Sequence, residues 1–241
     1  MENQIIVPQH VSIIMDGNGR WARAHGRERV YGHMNGVESV RAAVRAAGRA
    51  GVKYLSLYAF SEENWNRPDE EVSTLMNLMM KAIENEYASL MENKVRFVVR
   101  GNIGRLSGPL RSAIDALMEK TAGNDALTLI VFLSYSGRWD ILQAAKALAR
   151  EAAASPEKAA ALETLSQEDF GKYLVTGDIP DPDLIIRTSG EQRISNYLLW
   201  QGAYAELYFT PILWPDFREK DFEDALRAFS SRDRRYGKVK P

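Results

Sequence analysis

Leu127-Thr128-Leu129-Ile130-Val131-Phe132-Leu133 is an almost uninterrupted apolar run, with Thr128 its one polar residue. A strand half-exposed to water would alternate; a run without alternation fits a central strand buried on both faces of a parallel sheet. Working outward, residues 106–121 show helical periodicity and Val95–Val99 reads as a strand. Before these, Val72, Leu75, Met76, Met79, Met80, Ile83, Tyr87, Leu90 and Met91 recur at helical spacing, and Tyr54–Phe60 alternates like a strand. Residues 37–50 put Val37, Val40 and Val44 on one helical face with arginines opposite, and Val11–Met15 is a further short apolar run. On the other side, Asp140–Ala154 reads as a helix, and Ser155-Pro156-Glu157 supplies a cap and a first-turn proline for another. Asp183–Ile186 and Leu207–Phe209 read as short strands, and residues 219–231 as a final amphipathic helix. Strands alternating with helices predict an α/β fold with a mostly parallel sheet flanked by helices. No Gly, Ser or Pro linker divides the chain, so a single domain over residues 1–241 is expected.

At 241 residues and 27.2 kDa, the folded chain should bury about 70% of its extended surface, enough for a large core. The absence of cysteine excludes a disulfide framework, a thiolate metal site and a cysteine nucleophile. With 31 basic and 32 acidic side chains, nothing draws the whole molecule to nucleic acid or an anionic membrane. No segment approaches the 18 or so consecutive apolar residues of a membrane span, and Met1–His10 lacks a secretory pattern. A cytoplasmic protein is expected, touching membranes only through a ligand or a transient surface.

Ligands of open parallel sheets sit beyond the carboxyl ends of the strands, so the residues after each strand matter most. After the first comes Asp16-Gly17-Asn18-Gly19-Arg20-Trp21. Its glycines free backbone N–H groups, a helix starting near Asn18 would favour an anion, and Arg20 adds charge. Asp16 would repel a bare phosphate, which suggests a bridging divalent ion, Mg²⁺ with few protein ligands; a tight turn with a solvated Asp is the competing reading. Arg27, Arg29 and His33 follow, as phosphate donors or as a solvated basic face and a structural histidine. The second strand leads into Ser61-Glu62-Glu63-Asn64-Trp65-Asn66-Arg67, where amides and Arg67 could orient an anionic headgroup while Trp65 covers a hydrocarbon or pins the loop. The strand ending at Ile186 leads into Arg187-Thr188-Ser189-Gly190-Glu191-Gln192-Arg193-Ile194-Ser195, whose guanidiniums suit a second phosphate site. Glu206, in the apolar stretch Trp200–Phe209, needs a partner or a metal. The wide Met-rich face of helix 72–91 is either plain core or one wall of an apolar tunnel, opposite Leu127, Leu129, Val131 and Leu133.

The stretches HVSIIMDGNGRWA, YAFSEENWNRP, IIRTSGEQRISNYLLWQGAYAELYF and WPDF resemble the cis-prenyltransferases, over residues 9 to 237 and in the family's order. The resemblance implies condensation of isopentenyl diphosphate onto farnesyl diphosphate with cis double bonds, giving a long polyprenyl diphosphate of the undecaprenyl kind used as a cell-wall lipid carrier. It also implies Mg²⁺ dependence, a homodimer, and a hydrophobic tunnel between the sheet and two helices. Position by position, Asp16 is similar to the catalytic, Mg²⁺-binding aspartate, and Glu206 to a second acidic group near the metal. Gly17, Asn18, Gly19, Arg20 and Trp21 resemble the allylic diphosphate cradle, joined by Arg29 and His33. Ser61, Glu62, Glu63, Asn64, Trp65 and Arg67 match a loop that closes over the substrates, with Asn64 as a catalytic residue. Arg187, Arg193, Ile194 and Ser195 resemble the isopentenyl diphosphate site, and Leu129, Val131 and Leu133 are expected near the closed end of the tunnel.

The implied core spans about residues 9–230. In the tail 231–241, Arg235-Tyr236-Gly237 is similar to a C-terminal segment that reaches the partner subunit's site. The chain has Ser134-Tyr135-Ser136-Gly137-Arg138 where members commonly have Asn-Tyr-Gly-Gly-Arg, and Gly101-Asn102 where they have Gly-Asp. It lacks the DDxxD pair of the all-helical trans-type synthases. Alternatives from other classes are a non-catalytic subunit of a heteromeric prenyltransferase, a shorter-chain synthase, and a generic phosphate-binding α/β enzyme such as a phosphatase.

Overall fold

A computed structural model describes residues 5–234, and the tail segment Arg235-Tyr236-Gly237 lies outside them. The elements run β1 (His10–Ile14), α1 (Asn18–Ala24), α2 (Arg29–Ala50), β2 (Tyr54–Ser61), α3 (Asp69–Glu92), β3 (Val95–Arg100), α4 (Gly108–Thr121) and β4 (Leu127–Tyr135). They continue with α5 (Gly137–Ala154), α6 (Pro156–Ala161), α7 (Gln167–Gly171), β5 (Leu184–Arg187), β6 (Glu206–Phe209) and α8 (Glu219–Ser230). The six strands form one sheet in the order β3-β4-β2-β1-β5-β6, and every neighbouring pair is parallel. The expected α/β architecture is therefore observed.

The opening stretch behaves as its composition demands. On β4, Leu127, Leu129 and Leu133 join the larger core under α2, α3, α4 and α8. Ile130 and Phe132 of the same strand point to the other face, into a second cluster with Ile14, Val98, Ile185 and Tyr197. Because the side-chain period of a strand is two, burying both faces requires the continuous apolar run.

Helix starts follow local chemistry. Ser107, Ser136, Ser155 and Ser166 each accept a hydrogen bond from a first-turn backbone N–H, capping α4, α5, α6 and α7. The start of α2 departs from expectation: it begins at Arg29 rather than Val37. Gly32 and Gly36, poor helix formers by propensity, are held there by packing. A Cβ on Gly32 would lie 2.0 Å from the Asn18 carbonyl oxygen, and one on Gly36 would lie 2.8 Å from Trp214. Trp214 is buried and donates its indole N–H to the Gly36 carbonyl at 3.0 Å. The glycines thus bring α2 against the start of α1, which fixes the loop after β1. Among the described residues, no helix is long and apolar enough to cross a membrane.

Candidate active site

The connection from β1 runs toward β2 and that from β5 toward β6, so the carboxyl ends of the adjacent strands β1 and β5 form a topological switch point. Asp16 and Arg187 meet there. The Asp16 backbone is fixed on both sides: its N–H donates to Thr188 Oγ1 at 2.9 Å, and its carbonyl accepts from Thr188 Oγ1 at 2.6 Å and from Trp214 N at 3.0 Å. Gly17 has φ +113°, a left-handed geometry that only glycine adopts at little cost.

Asp16 Oδ2 accepts from Arg187 Nη2 at 2.9 Å, and Arg20 lies 3.5 Å away. Arg187, with its side chain only 5% exposed, also donates to Ser195 Oγ at 2.7 Å and to the Arg193 carbonyl at 2.5 Å. Burial works against ionising Asp16, but the hydrogen bond and charge of Arg187, aided by Ser189 and Arg20, outweigh it and hold its pKa below the usual carboxylate value. Asp16 is therefore a firmly ionised carboxylate in a cationic setting.

A second cluster stands across the same mouth. Glu71 is shared by two guanidiniums, Arg67 at 3.0 Å and Arg29 at 3.6 Å. Burial, then the charge of Arg29, lowers the pKa of Arg67. His33 is pushed down to about 4 by burial first and then by Arg67 and Arg29, so its imidazole is neutral near pH 7. Three buried polar atoms here, Asn18 Oδ1, His33 Nε2 and Arg187 Nε, find no hydrogen-bond partner in the protein. The crowded cations and the unpartnered Arg187 Nε and His33 Nε2 describe a site suited to an anion, while Asn18 Oδ1 is an acceptor left for a donor or a cation.

The loop after β2 forms a short helical turn, Glu62–Asn66, closed by a reciprocal cap. Asn64 N donates to Ser61 Oγ at 3.2 Å, and Ser61 N donates to Asn64 Oδ1 at 3.1 Å. One lone pair of the Asn64 amide oxygen is thereby used, and the reciprocal bonds fix the orientation of its NH₂. Asn196 donates to Glu63 Oε1 at 2.7 Å and accepts from the Arg138 backbone N–H at 3.0 Å, joining this loop to the Ser195 segment.

These groups open onto one cavity of about 1330 Å³, lined at its mouth by Asp16, Gly17, Asn18, Gly19, Arg29, His33, Ser61, Glu63, Asn64, Arg67, Arg187 and Ser195. Beyond the mouth its walls are mainly apolar: Val37, Val40 and Val44 of α2, Leu75, Met79, Ile83 and Leu90 of α3, Leu117 of α4, and Leu127, Leu129, Val131 and Leu133 of β4, with Arg41, Arg45 and Arg49 of α2 and Glu86 and Ser89 of α3 also on the lining. Of the methionines of α3, Met79 lines the cavity, while Met76 and Met80 pack on the core. Leu133 pairs with Phe60 near the mouth, whereas Leu127 pairs with Val95 at the far end, about 20 Å away at the rise of a strand. The expectation that Leu133 stands near the closed end is corrected: Leu127 takes that place.

Several other expected site residues point elsewhere. Trp21 donates its indole N–H to Asp216 at 2.7 Å and stacks on His25, outside the cavity. Glu62 and Trp65 turn away toward Ser134 and Arg105. Ile194 packs against the second hydrophobic cluster. Arg193 pairs with Glu191, and Arg20 with Ser189 and Glu191, both at the rim. Glu206 stands furthest from the mouth within the chain. It opens β6 in register with Leu184, three residues from the strand ends where Asp16 lies, and its partner is Arg232 at 2.7 Å. Parallel register sends it to the opposite edge of the sheet, and within one chain it does not join Asp16. Glu71, Arg138 and Asn196 lie within the polar stretches that follow the strands, and sequence reading gives them no role; here they prove to be lining or bridging groups.

Among the described residues there is no group of three His, Asp or Glu side chains able to enclose a metal. The one carboxylate at the switch point, ionised and 31% exposed, does fit Mg²⁺, which commonly takes one or two protein carboxylates and completes its shell with water and substrate phosphates.

The family model described as putative undecaprenyl diphosphate synthase matches residues 14–237. An isoprenyl transferase of Fusobacterium nucleatum is 48% identical over 234 residues, covering 97% of each chain. A ditrans,polycis-undecaprenyl-diphosphate synthase, (2E,6E)-farnesyl-diphosphate specific, of Pasteurella multocida is 49% identical over 231 residues, covering 96% of this chain and 95% of that one. Among solved structures, lavandulyl diphosphate synthase from Lavandula x intermedia, in complex with dimethylallyl diphosphate, superposes with a TM-score of 0.90 at 34% identity, covering 96% of this chain and 99% of that one. The fold, the cationic mouth and the matched length agree, and the chain belongs to the undecaprenyl diphosphate synthase family of prenyltransferases.

Proposed function

We propose that this protein is a cis-prenyltransferase that adds isopentenyl diphosphate units to farnesyl diphosphate and releases a long polyprenyl diphosphate, undecaprenyl diphosphate, for cell-wall lipid carriage. The observation that carries the reading is a single cavity of about 1330 Å³ that joins an anion-binding mouth to a mainly apolar interior. A diphosphate head can be held at the strand ends while its hydrocarbon tail occupies the space between α2, α3 and β4.

In this reading the allylic diphosphate lies against the Gly17–Gly19 backbone, Arg29 and His33. Arg187 and Ser195, with Arg193 at the rim, hold the isopentenyl diphosphate. Asp16 would hold Mg²⁺, which when bound neutralises charge building on the leaving diphosphate. The allylic C–O bond breaks and the diphosphate departs with the electron pair. The isopentenyl alkene attacks the allylic carbon, forming the new C–C bond, and a proton leaves the isopentenyl C2 for a diphosphate oxygen. Preorganised donors matter most where that negative charge develops, and the Asn64 NH₂ and Arg67 are the donors the 61–67 loop contributes. Asn64 acts as a donor and not as a base, because a carboxamide is barely basic. Holding both diphosphates in one frame is the positioning effect.

The enzyme is further proposed to work as a cytoplasmic homodimer, with the product leaving by peripheral contact at the membrane. The test is to incubate the purified chain alone with farnesyl diphosphate, radiolabelled isopentenyl diphosphate and Mg²⁺, and to separate the products by length. Elongated product that vanishes on chelation supports the reading. Phosphate release without elongation supports a phosphatase, and product only on adding a second protein supports a non-catalytic subunit.

A further inference from the structure

Behind the loop that carries Asn64 and Arg67 lies a polar network that the chemistry above does not use. The turn Glu62–Asn66 is a 3₁₀ helix, in which side chains three apart lie above one another. Ser61, Asn64 and Arg67 therefore share one side, which lines the cavity, while Glu62 and Trp65 share another. On that outer side, Trp65 Nε1 donates to Ser134 Oγ at 2.7 Å, and Ser134 Oγ donates in turn to Glu62 Oε1 at 2.8 Å. Arg105 Nη1 donates to the remaining Glu62 oxygen at 2.6 Å, and its guanidinium lies 4.6 Å above the Trp65 ring. The four side chains close a ring around the back of the loop.

Ser134 is built into this ring at some cost. It is wholly buried at the end of β4 and has φ +50°, a left-handed conformation uncommon for serine. Its carbonyl accepts from Asn102 N at 3.0 Å, three residues before Arg105. At Gly101 a Cβ would sit 2.0 Å from the Leu133 carbonyl oxygen, so the segment carrying Arg105 is pressed directly onto the strand end. Such geometry persists only where the surroundings over-determine it, and it clusters at functional sites.

We infer that Ser134 and Arg105 are positioning residues: with Glu62 and Trp65 they clamp the outer side of the 61–67 loop so that Asn64 and Arg67 are held at the diphosphates. The inference rests on the functional reading above. It accounts for why Glu62 and Trp65 sit in a substrate loop without lining the cavity, and it gives the serine hydroxyl a role that no other side chain at that position has by default. Asparagine is the informative exception, since it tolerates the left-handed conformation and offers both an acceptor for Trp65 and a donor for Glu62.

The test compares Ser134→Ala, Ser134→Asn, Arg105→Ala and Arg105→Lys with the parent in steady-state elongation, thermal denaturation and amide hydrogen exchange. Ser134→Ala and Arg105→Ala are expected to lower kcat by about ten- to a hundredfold, the scale of a small misplacement of reacting groups. KM for either diphosphate should change by less than about threefold, with melting temperatures close to the parent's. Ser134→Asn and Arg105→Lys should recover most of kcat. Exchange at the Ser61 and Asn64 amides should quicken in the two alanine variants while the sheet stays protected. Unchanged kcat and unchanged loop exchange in those variants would overturn the inference, as would a kcat loss that Ser134→Asn does not relieve. A parent chain that does not elongate at all would instead sink the functional reading, and the exchange measurement would still decide whether the ring holds the loop.

Discussion

Lowering the pH from about 7 to about 5 should weaken this fold through two histidines, and the cavity histidine can be isolated. His10 and His33 are both pushed from 6.5 down to about 4. For His10 the main cause is burial; Nδ1–H donates to the Pro180 carbonyl at 2.6 Å and Nε2 accepts from Ser56 Oγ at 2.9 Å, a neutral tautomer with no free site for a proton. For His33 it is burial followed by Arg67 and Arg29. With the folded pKa depressed, the unfolded chain binds protons first as pH falls below 6.5, so stability is lost from there down to about pH 4 and is unaffected above. At about 1.4 kcal/mol per pH unit per group, reaching pH 5 costs about 2 kcal/mol for each histidine, a sizeable part of a total near 5–15 kcal/mol. Burial raises the pKa of Asp140 and Asp181, which pushes the opposite way, so the readout is a difference between variants. Urea denaturation of the parent and His33→Gln at both pH values should show the variant losing about 2 kcal/mol less. Saturating inorganic diphosphate should narrow that gap, because an anion beside His33 offsets Arg29 and Arg67. Equal losses in parent and variant would refute the reasoning, since His33 would then be neither buried nor under the field of those cations.

Three further outcomes follow from the geometry. Asp16→Asn keeps an acceptor for Arg187 but removes the charge, and should cut turnover by about a hundredfold or more and lower the melting temperature, since the buried Arg187 loses its counter-charge; near-normal elongation would contradict the placing of Mg²⁺ on Asp16. Gly32→Ala sets a Cβ 2.0 Å from the Asn18 carbonyl oxygen and should cost about 1–3 kcal/mol or more, whereas Gly48→Ala on the same helix meets nothing within 4 Å and should gain about 0.5–1 kcal/mol, both read by chemical denaturation. Leu127→Trp fills the far end of the cavity and should shift radiolabelled products to shorter chains, while the same change at exposed Leu142 should leave the distribution alone.

Fold and site were legible to different depths, and the difference is physical. Hydrophobic period placed the strands, and the carboxyl-end rule then pointed at the stretches that carry Asp16, Asn64, Arg67 and Arg187. What the period could not give was direction around a turn. In the Glu62–Asn66 segment a three-residue repeat sorts Asn64 and Arg67 from Glu62 and Trp65, yet nothing in SEENWNR announces a 3₁₀ helix over a loop. Trp21 follows a related rule: the glycine-rich turn offers backbone, so its neighbour stacks on His25 and bonds Asp216. Glu206 shows a third limit. Its apolar surroundings were visible, and so was its need for a partner, which proves to be Arg232. Whether a carboxylate at the start of a strand reaches a site at the other strands' ends depends on parallel register, because each residue of slip moves it by about 3.3 Å along the sheet. Pairing of Glu206 with Leu184, and of Phe209 with Arg187, puts Phe209 at the level of the site and its carboxylate neighbour below it. Electrostatics at the mouth and its rim therefore rests on Asp16, Glu63, Glu71 and Glu191 against Arg20, Arg29, Arg67, Arg138, Arg187 and Arg193, six cations to four carboxylates.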